Sequence, residues 1–168
     1  MKRPVLCFAA LLVFTMFFFI GCDEDDDKKD NAILAYLPGL ESLTIVDVSN
    51  PAVPVEVGKC TIARSAISVG ATGDYAYVCN YNNPTFIAVD VSDYRNPVVV
   101  GICNLPESGA RFFIHNYYAY VADWNSGLRI IDISNNSSPQ EVGFIDTPNY
   151  AISVDVVGDY AYVADVSS

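Results

Sequence analysis

One seven-residue pattern recurs three times at a nearly constant distance, and it constrains the fold more than any other feature. Leu43-Thr44-Ile45-Val46-Asp47-Val48-Ser49, Phe86-Ile87-Ala88-Val89-Asp90-Val91-Ser92 and Leu128-Arg129-Ile130-Ile131-Asp132-Ile133-Ser134 place their aspartates 43 and 42 residues apart. Two further markers keep the same step. Gly73-Asp74-Tyr75-Ala76-Tyr77-Val78 returns as Asn116-Tyr117-Tyr118-Ala119-Tyr120-Val121 and as Gly158-Asp159-Tyr160-Ala161-Tyr162-Val163. The pairs Pro54/Gly58, Pro97/Gly101 and Pro139/Gly143 follow suit. A period of this length marks stacked supersecondary units, as in a propeller or a solenoid.

Each period holds four short apolar runs, labelled A to D. Strand A covers 66–69, 110–114 and 151–156, and strand B covers 33–37, 75–79, 118–122 and 160–164. Strand C is the opening heptad, and strand D covers 55–60, 98–103 and 140–145. Runs this short, separated by Gly, Pro, Asn and Asp, predict an antiparallel meander. Gly73, Asn116 and Gly158 hold the A–B turn, where a tight hairpin needs φ > 0. A four-residue C–D link ends each time at a Pro, which suits a strand start because it cannot donate to a ladder. Gly58, Gly101 and Gly143 lie inside strand D and predict a bulge or a close backbone approach. Apolar pairs such as Ile130-Ile131 break strict alternation, so both faces of each sheet are expected to be covered. These features predict an all-β propeller of four-stranded antiparallel blades. About three blades are present, in an incomplete ring.

The N-terminus reads differently. Lys2 and Arg3 precede an apolar run from Val5 to Ile20, then Gly21-Cys22. These are the parts of a secretory signal peptide over 1–21. The run is shorter than the ~20 residues a membrane-spanning helix needs. Residues 22–31 form an acidic tether, with six acidic and two basic side chains between Asp23 and Asp30.

Phe19-Ile20-Gly21-Cys22 resembles the lipobox of bacterial lipoproteins, with Phe19 where that motif usually has Leu. The resemblance implies lipidation of Cys22 and a membrane anchor outside the cytoplasm, on an outer membrane or the cell surface. Asp23 and the acids after it resemble surface-export signals in some lipoproteins and an inner-membrane retention signal in enteric ones. As a plain charge run, they read as a solvated tether.

Across Ala32–Ser168 the Ile-Val-Asp-Val-Ser heptads and Tyr-Ala-Tyr-Val runs resemble the LVIVD-repeat family of bacterial β-propeller proteins. Similar repeats occur in surface proteins grouped as choice-of-anchor B. The resemblance implies the fold and says little of function, because propellers host many activities. The runs number thirteen, so the chain is expected to stop in mid-blade, as a fragment or as an open arc completed by a second chain.

Candidate chemistry is sparse. The net charge of −11 repels phosphate backbones and argues against nucleic acid as a partner. His115 is the only histidine, and the chain has no P-loop, HExxH or GxSxG motif. No cofactor, metal or catalytic group is expected. Cys60 and Cys103 occupy equivalent strand-D places in neighbouring blades, too far apart for a disulfide, and Cys79 takes a small core position. Asp47, Asp90 and Asp132 suggest calcium, but one copy per blade inside an apolar strand favours bonds within that blade.

The leading expectation is a non-catalytic binding scaffold for a protein or a glycan. Its alternatives are a propeller enzyme with an axial site near Arg111 and Asp155, and a structural envelope spacer. The only length change among the repeats falls in the B–C loop, and the D–A loops differ most in sequence. Variable loops on a rigid frame carry binding residues. Tyr81, Trp124 and Tyr150 on the B–C/D–A face are therefore the candidate partner site.

Overall fold

A computed structural model of the chain describes residues 32–62 and 65–167. The expected signal segment, Cys22 and the acidic run after it lie outside the described residues.

The described residues form thirteen strands: β1 (Leu34–Pro38), β2 (Ser42–Asp47), β3 (Val55–Thr61), β4 (Ala66–Thr72), β5 (Tyr75–Asn80), β6 (Thr85–Asp90), β7 (Val98–Asn104), β8 (Arg111–His115), β9 (Tyr118–Ala122), β10 (Leu128–Asp132), β11 (Gln140–Ile145), β12 (Tyr150–Val157) and β13 (Tyr160–Val166). They make four sheets, each an antiparallel meander in chain order. The first blade holds β1–β3, the second β4–β7, the third β8–β11 and the fourth β12–β13. The array of propeller-type blades is open. Among the described residues there is no helix.

The turns take the predicted geometry. Gly73, Asn116 and Gly158 have φ of 55°, 55° and 59°. The strand-C heptad is extended only as far as its aspartate. Asp47, Asp90 and Asp132 each accept the backbone N–H of the serine two residues on, at 2.8, 2.9 and 2.8 Å. The residue between them still donates across the blade, Val48 to Ile33, Val91 to Asp74 and Ile133 to Tyr117, and the side-chain bond then turns the chain. A second turn of the same kind follows, as Asn50, Asp93 and Asn135 accept from Ala52, Arg95 and Ser137. The C–D link is thus two consecutive Asx turns in each of the first three blades, and the prolines stand one residue before strand D. The sequence reading assigned the aspartates to their own blades but missed the second turn.

The strand-D glycines combine both predicted roles. The C–D ladder slips one residue at Ile45/Val46, Ala88/Val89 and Ile130/Ile131, opposite Gly58, Gly101 and Gly143. In two blades the glycine also receives a neighbour. A Cβ on Gly58 would overlap the carbonyl oxygen of Tyr94 in the next blade's C–D link, and one on Gly101 would overlap that of Asn136.

The core is a series of interfaces between blades, each filled from both sides. Leu34, Tyr36, Leu43 and Ile45 of the first blade meet Val69, Val78, Val89 and Val91 of the second. Tyr77, Phe86 and Cys103 then meet Val121, Ile131 and Ile133 of the third. A smaller cluster joins Ala122 and Leu128 to Ala151, Val154 and Val156. The middle blade is covered on both sides, and Thr85–Val89 is buried throughout. Repeat arrays gain stability from such nearest-neighbour contacts.

Seating a backbone carbonyl against glycine leaves no room for a methyl group. Gly101→Ala should destabilise the chain by about 1–3 kcal/mol, the usual cost of overpacking. Gly143→Ala, whose Cβ would meet only the Ile130 side chain at 3.7 Å among the described residues, should cost less than about 0.5 kcal/mol. Denaturant midpoints of the two variants measure the contrast, and equal losses would refute the seating role.

Candidate functional site: the B–C and D–A loop face

The B–C loop of the third blade is a short turn spanning Asp123 to Gly127. Asp123 N–H donates to the Gly127 carbonyl at 2.8 Å, and Ser126 N–H donates to that of Asp123 at 2.8 Å. Gly127 has φ of 70°, and a Cβ there would press into Asp146 and Thr147 of the neighbouring loop. Trp124 sits at φ of 45°, left-handed backbone that costs a non-glycine residue about 1–3 kcal/mol. It is held there by paired backbone bonds with Ala151 of the fourth blade, at 3.1 and 3.0 Å.

This placement brings the three sequence-selected aromatics into one row. The Trp124 ring lies edge-on to Tyr81 at 6.3 Å and to Tyr150 at 5.7 Å between centroids. Such edge-to-face pairs contribute about 0.5–1.5 kcal/mol beyond burial. Tyr81 is 46% exposed, whereas Trp124 and Tyr150 are half-buried. Tyr150 opens strand β12 instead of sitting in the D–A loop, because its backbone pairs with Val166. The Trp124 Nε1 is buried with no hydrogen-bond partner among the described residues.

Behind the row lies a group that sequence reasoning missed. Asp123 is fully buried, and its Oδ2 accepts the Glu107 N–H of the D–A loop at 3.1 Å. Asp165 holds the same place one repeat on and accepts Asn149 N–H at 3.2 Å. The aspartate at the end of strand B therefore latches the D–A loop beside it. Asn80 fills that place in the second blade and donates to Thr85 Oγ1 at 3.0 Å. The signal was an Asn/Asp recurring two residues past the Tyr-Ala-Tyr-Val run. Burial pushes the Asp123 carboxyl up to about 6. The Glu107 N–H and the Arg129 charge pull it back, while Glu107 and Glu141 add to the rise. Arg129 is itself buried, paired with Glu141 at 3.6 Å and Asp146 at 3.3 Å, with its guanidinium over Phe144.

The remaining candidates stand apart from this face. Asp155 is exposed and accepts the N–H of its neighbour Val156, while Arg111 begins β8, half-buried. His115 ends β8 opposite Tyr118. Cys60, Cys79 and Cys103 are free thiols, each raised above its ordinary value chiefly by burial. Among the described residues no three His, Cys, Asp or Glu side chains converge as a metal site. The lowered carboxyls of Asp47 and Asp132 owe their shift first to the serine side chain and then to the serine N–H.

The raised Asp123 carboxyl gives a pH test. The folded chain takes up this proton near pH 6, and the reference value is 3.8. Between those values the folded state holds more of the proton, so stability from this group falls as pH rises through the window. The stability difference between wild type and Asp123→Asn should therefore change from pH 4 to pH 7, with the wild type losing ground. A constant difference in denaturant midpoint would show an ordinary carboxylate.

Known proteins agree with this architecture. The LVIVD repeat matches residues 35–62, 63–105, 113–147 and 148–168. Among solved structures, the chain resembles the crystal structure of the computationally designed Ika8 protein, with a TM-score of 0.63 at 6% identity. The match covers 82% of this chain and 41% of the designed one, so the chain spans less than half of that protein. At that identity the likeness concerns fold alone. No curated protein matches. Four successive repeat matches, in phase with the four blades, place the chain in the LVIVD-repeat family.

Proposed function

We propose that the chain is a non-catalytic binding scaffold, held outside the cytoplasm by lipid on Cys22. It engages a protein or glycan through the B–C/D–A face. The observation that carries this reading is the aromatic row Tyr81–Trp124–Tyr150, which spans three successive blades and presents Tyr81 to solvent. Aromatic side chains supply large contact area with few rotatable bonds, which suits both protein interfaces and the apolar faces of sugars. The opposite face is less available, since its C–D links spend their polar side chains on their own Asx turns. The envelope-spacer and axial-enzyme readings lack a comparable feature.

Two measurements test the proposal. Membrane fractionation and mass spectrometry of the mature protein should find diacylglycerol on Cys22, and Cys22→Ala should release the protein. A soluble, unmodified product would overturn the anchor. For the face, arrays of cell-envelope polysaccharides and proteins are probed with wild type and Tyr81→Ala. A bound member should lose about 1–2 kcal/mol of affinity in the variant, with little change in melting temperature. Trp124→Ala should lose stability as well, because its ring also packs between Tyr81 and Tyr150. Unchanged affinity in Tyr81→Ala would move the site off this face.

A further inference from the structure

The first and second blades do not close over each other completely. Toward the B–C/D–A face, a cleft of about 430 Å³ lies between the end of β3 and strands β6 and β7. Its walls are aliphatic: Ile62 and Ile87 are buried, Val99 is half-buried, and Ile102 stands 57% exposed. Thr61, Asn83 and Asn104 form an exposed rim. The backbone of that rim is fixed from below. Thr85 Oγ1 accepts Asn80 Nδ2 at 3.0 Å and donates to the Asn83 carbonyl at 2.9 Å. Leu105 N–H, next to Asn104, donates to the Pro84 carbonyl at 3.0 Å. The side-chain amides of Asn83 and Asn104 make no hydrogen bond among the described residues.

The next interface shows what occupies this place when the chain fills it itself. One repeat on, Ile87, Val99, Ile102 and Asn104 become Arg129, Glu141, Phe144 and Asp146. The ladder positions are the same, with Ile87 opposite Ile102 and Arg129 opposite Phe144. There the Arg129 guanidinium lies 4.6 Å from the Phe144 ring centroid and pairs with Glu141 at 3.6 Å and Asp146 at 3.3 Å. The corner thus accommodates one long side chain, and its walls match that side chain's charge. In the second blade the shorter Ile87 leaves the space open, and none of the residues lining it is ionisable. A charge placed there would lose hydration without gaining a partner. An alkyl group would instead cover Ile87, Val99 and Ile102.

We propose that this cleft receives a neutral aliphatic side chain, of leucine or isoleucine type, presented by a protein partner, with Asn83 and Asn104 bonding the peptide groups that flank it. A side-chain amide offers both a donor and an acceptor, as a peptide group requires. An apolar pocket with a few placed polar groups is the common form of such sites. The proposal rests on the reading of the B–C/D–A face as the binding face, since Asn83 belongs to the same B–C loop as Tyr81, and it narrows the partner to a protein. A sugar fits this cleft less well, because no aromatic ring lines it to cover a pyranose face.

The test uses the full chain with isotope-labelled methyl groups and the capped tripeptide acetyl-Ala-Leu-Ala-amide. Saturable shifts at peptide concentrations on the order of millimolar should appear at Ile62, Ile87, Val99 and Ile102. Peptides with Lys or Asp at the centre should bind about tenfold more weakly. Ile102→Lys should weaken the leucine peptide by about tenfold. Val98→Lys, equally exposed on the same strand but outside the lining, should leave it unchanged, and so should Tyr81→Ala. No saturable shift, equal affinity for the three peptides, or equal affinity in Ile102→Lys would overturn the proposal. So would methyl glucoside shifting these methyl groups where the peptide does not, which would assign the cleft to a glycan. An envelope partner lost in Tyr81→Ala but kept in Ile102→Lys would overturn the cleft and leave the face standing. The reverse pattern would uphold the cleft and take the contact off the aromatic row.

Discussion

The blades hold together because a backbone carbonyl of one blade lies where a side chain of the previous blade would otherwise stand. Only glycine leaves that space, and Gly58 and Gly101 supply it beneath Tyr94 and Asn136. The bulge at the same point in strand D bends the outer strand where the neighbouring link arrives. Close approach there lets the apolar faces of adjacent sheets meet along their length, from Leu43 and Ile45 against Val89 to Phe86 against Ile131. Without the glycine notch the link would stand off the strand, and the inner residues would lose contact at once. A void of a fraction of an ångström already forfeits much of the dispersion attraction.

The links that enter these notches are themselves rigid, and that rigidity is local. Each begins with an aspartate that bonds the serine two residues on, followed by an Asn or Asp that does the same. The turn therefore forms from its own side chains and needs no neighbour to shape it. The same bonds tie each strand-C aspartate to its own blade. In each blade an oxygen of the carboxylate is already engaged by its own turn, and the aspartates lie on separate sheets. A repeat built this way can be copied along a chain, because each of the first three blades brings both a strand-D glycine and a C–D link.

Those same properties decide what could be read without coordinates. Strand order, A–B turn residues and the role of the strand-D glycines were legible because each depends on residues within one period. The end of strand C was misjudged by two residues, since Val48 and Ser49 look extended by composition but follow a side-chain turn. Tyr150 read as loop because its pairing partner, Val166, lies sixteen residues on in the chain. Asp123 was passed over for a deeper reason. Its importance comes from burial against the D–A loop in the previous connection, and the recurrence of Asn80, Asp123 and Asp165 at one place in the repeat does not by itself show that burial. Grouping Tyr81, Trp124 and Tyr150 followed from loop topology, whereas their edge-to-face contacts, and the left-handed backbone at Trp124, belong to the packing between blades.

The two loop faces of the array differ in kind. On the A–B/C–D side, turn chemistry is repeated blade by blade, and the residues seated on the strand-D glycines are committed to neighbouring blades. On the B–C/D–A side the loops vary, and their order comes from long-range latches: Asp123 on Glu107, Asp165 on Asn149, and Ser108 on the Tyr81 carbonyl. A latch fixes a loop's base and leaves its tip free to differ, which is how a repeated frame can carry unlike residues in successive blades. Trp124 shows the cost of that freedom, with a strained backbone balanced by the Ala151 bridge and by two aromatic neighbours. Strain persists only where the surroundings over-determine it, and here both flanking blades contribute. The row is consequently a property of three blades together, so a partner that used it would read the assembled array and not any single repeat.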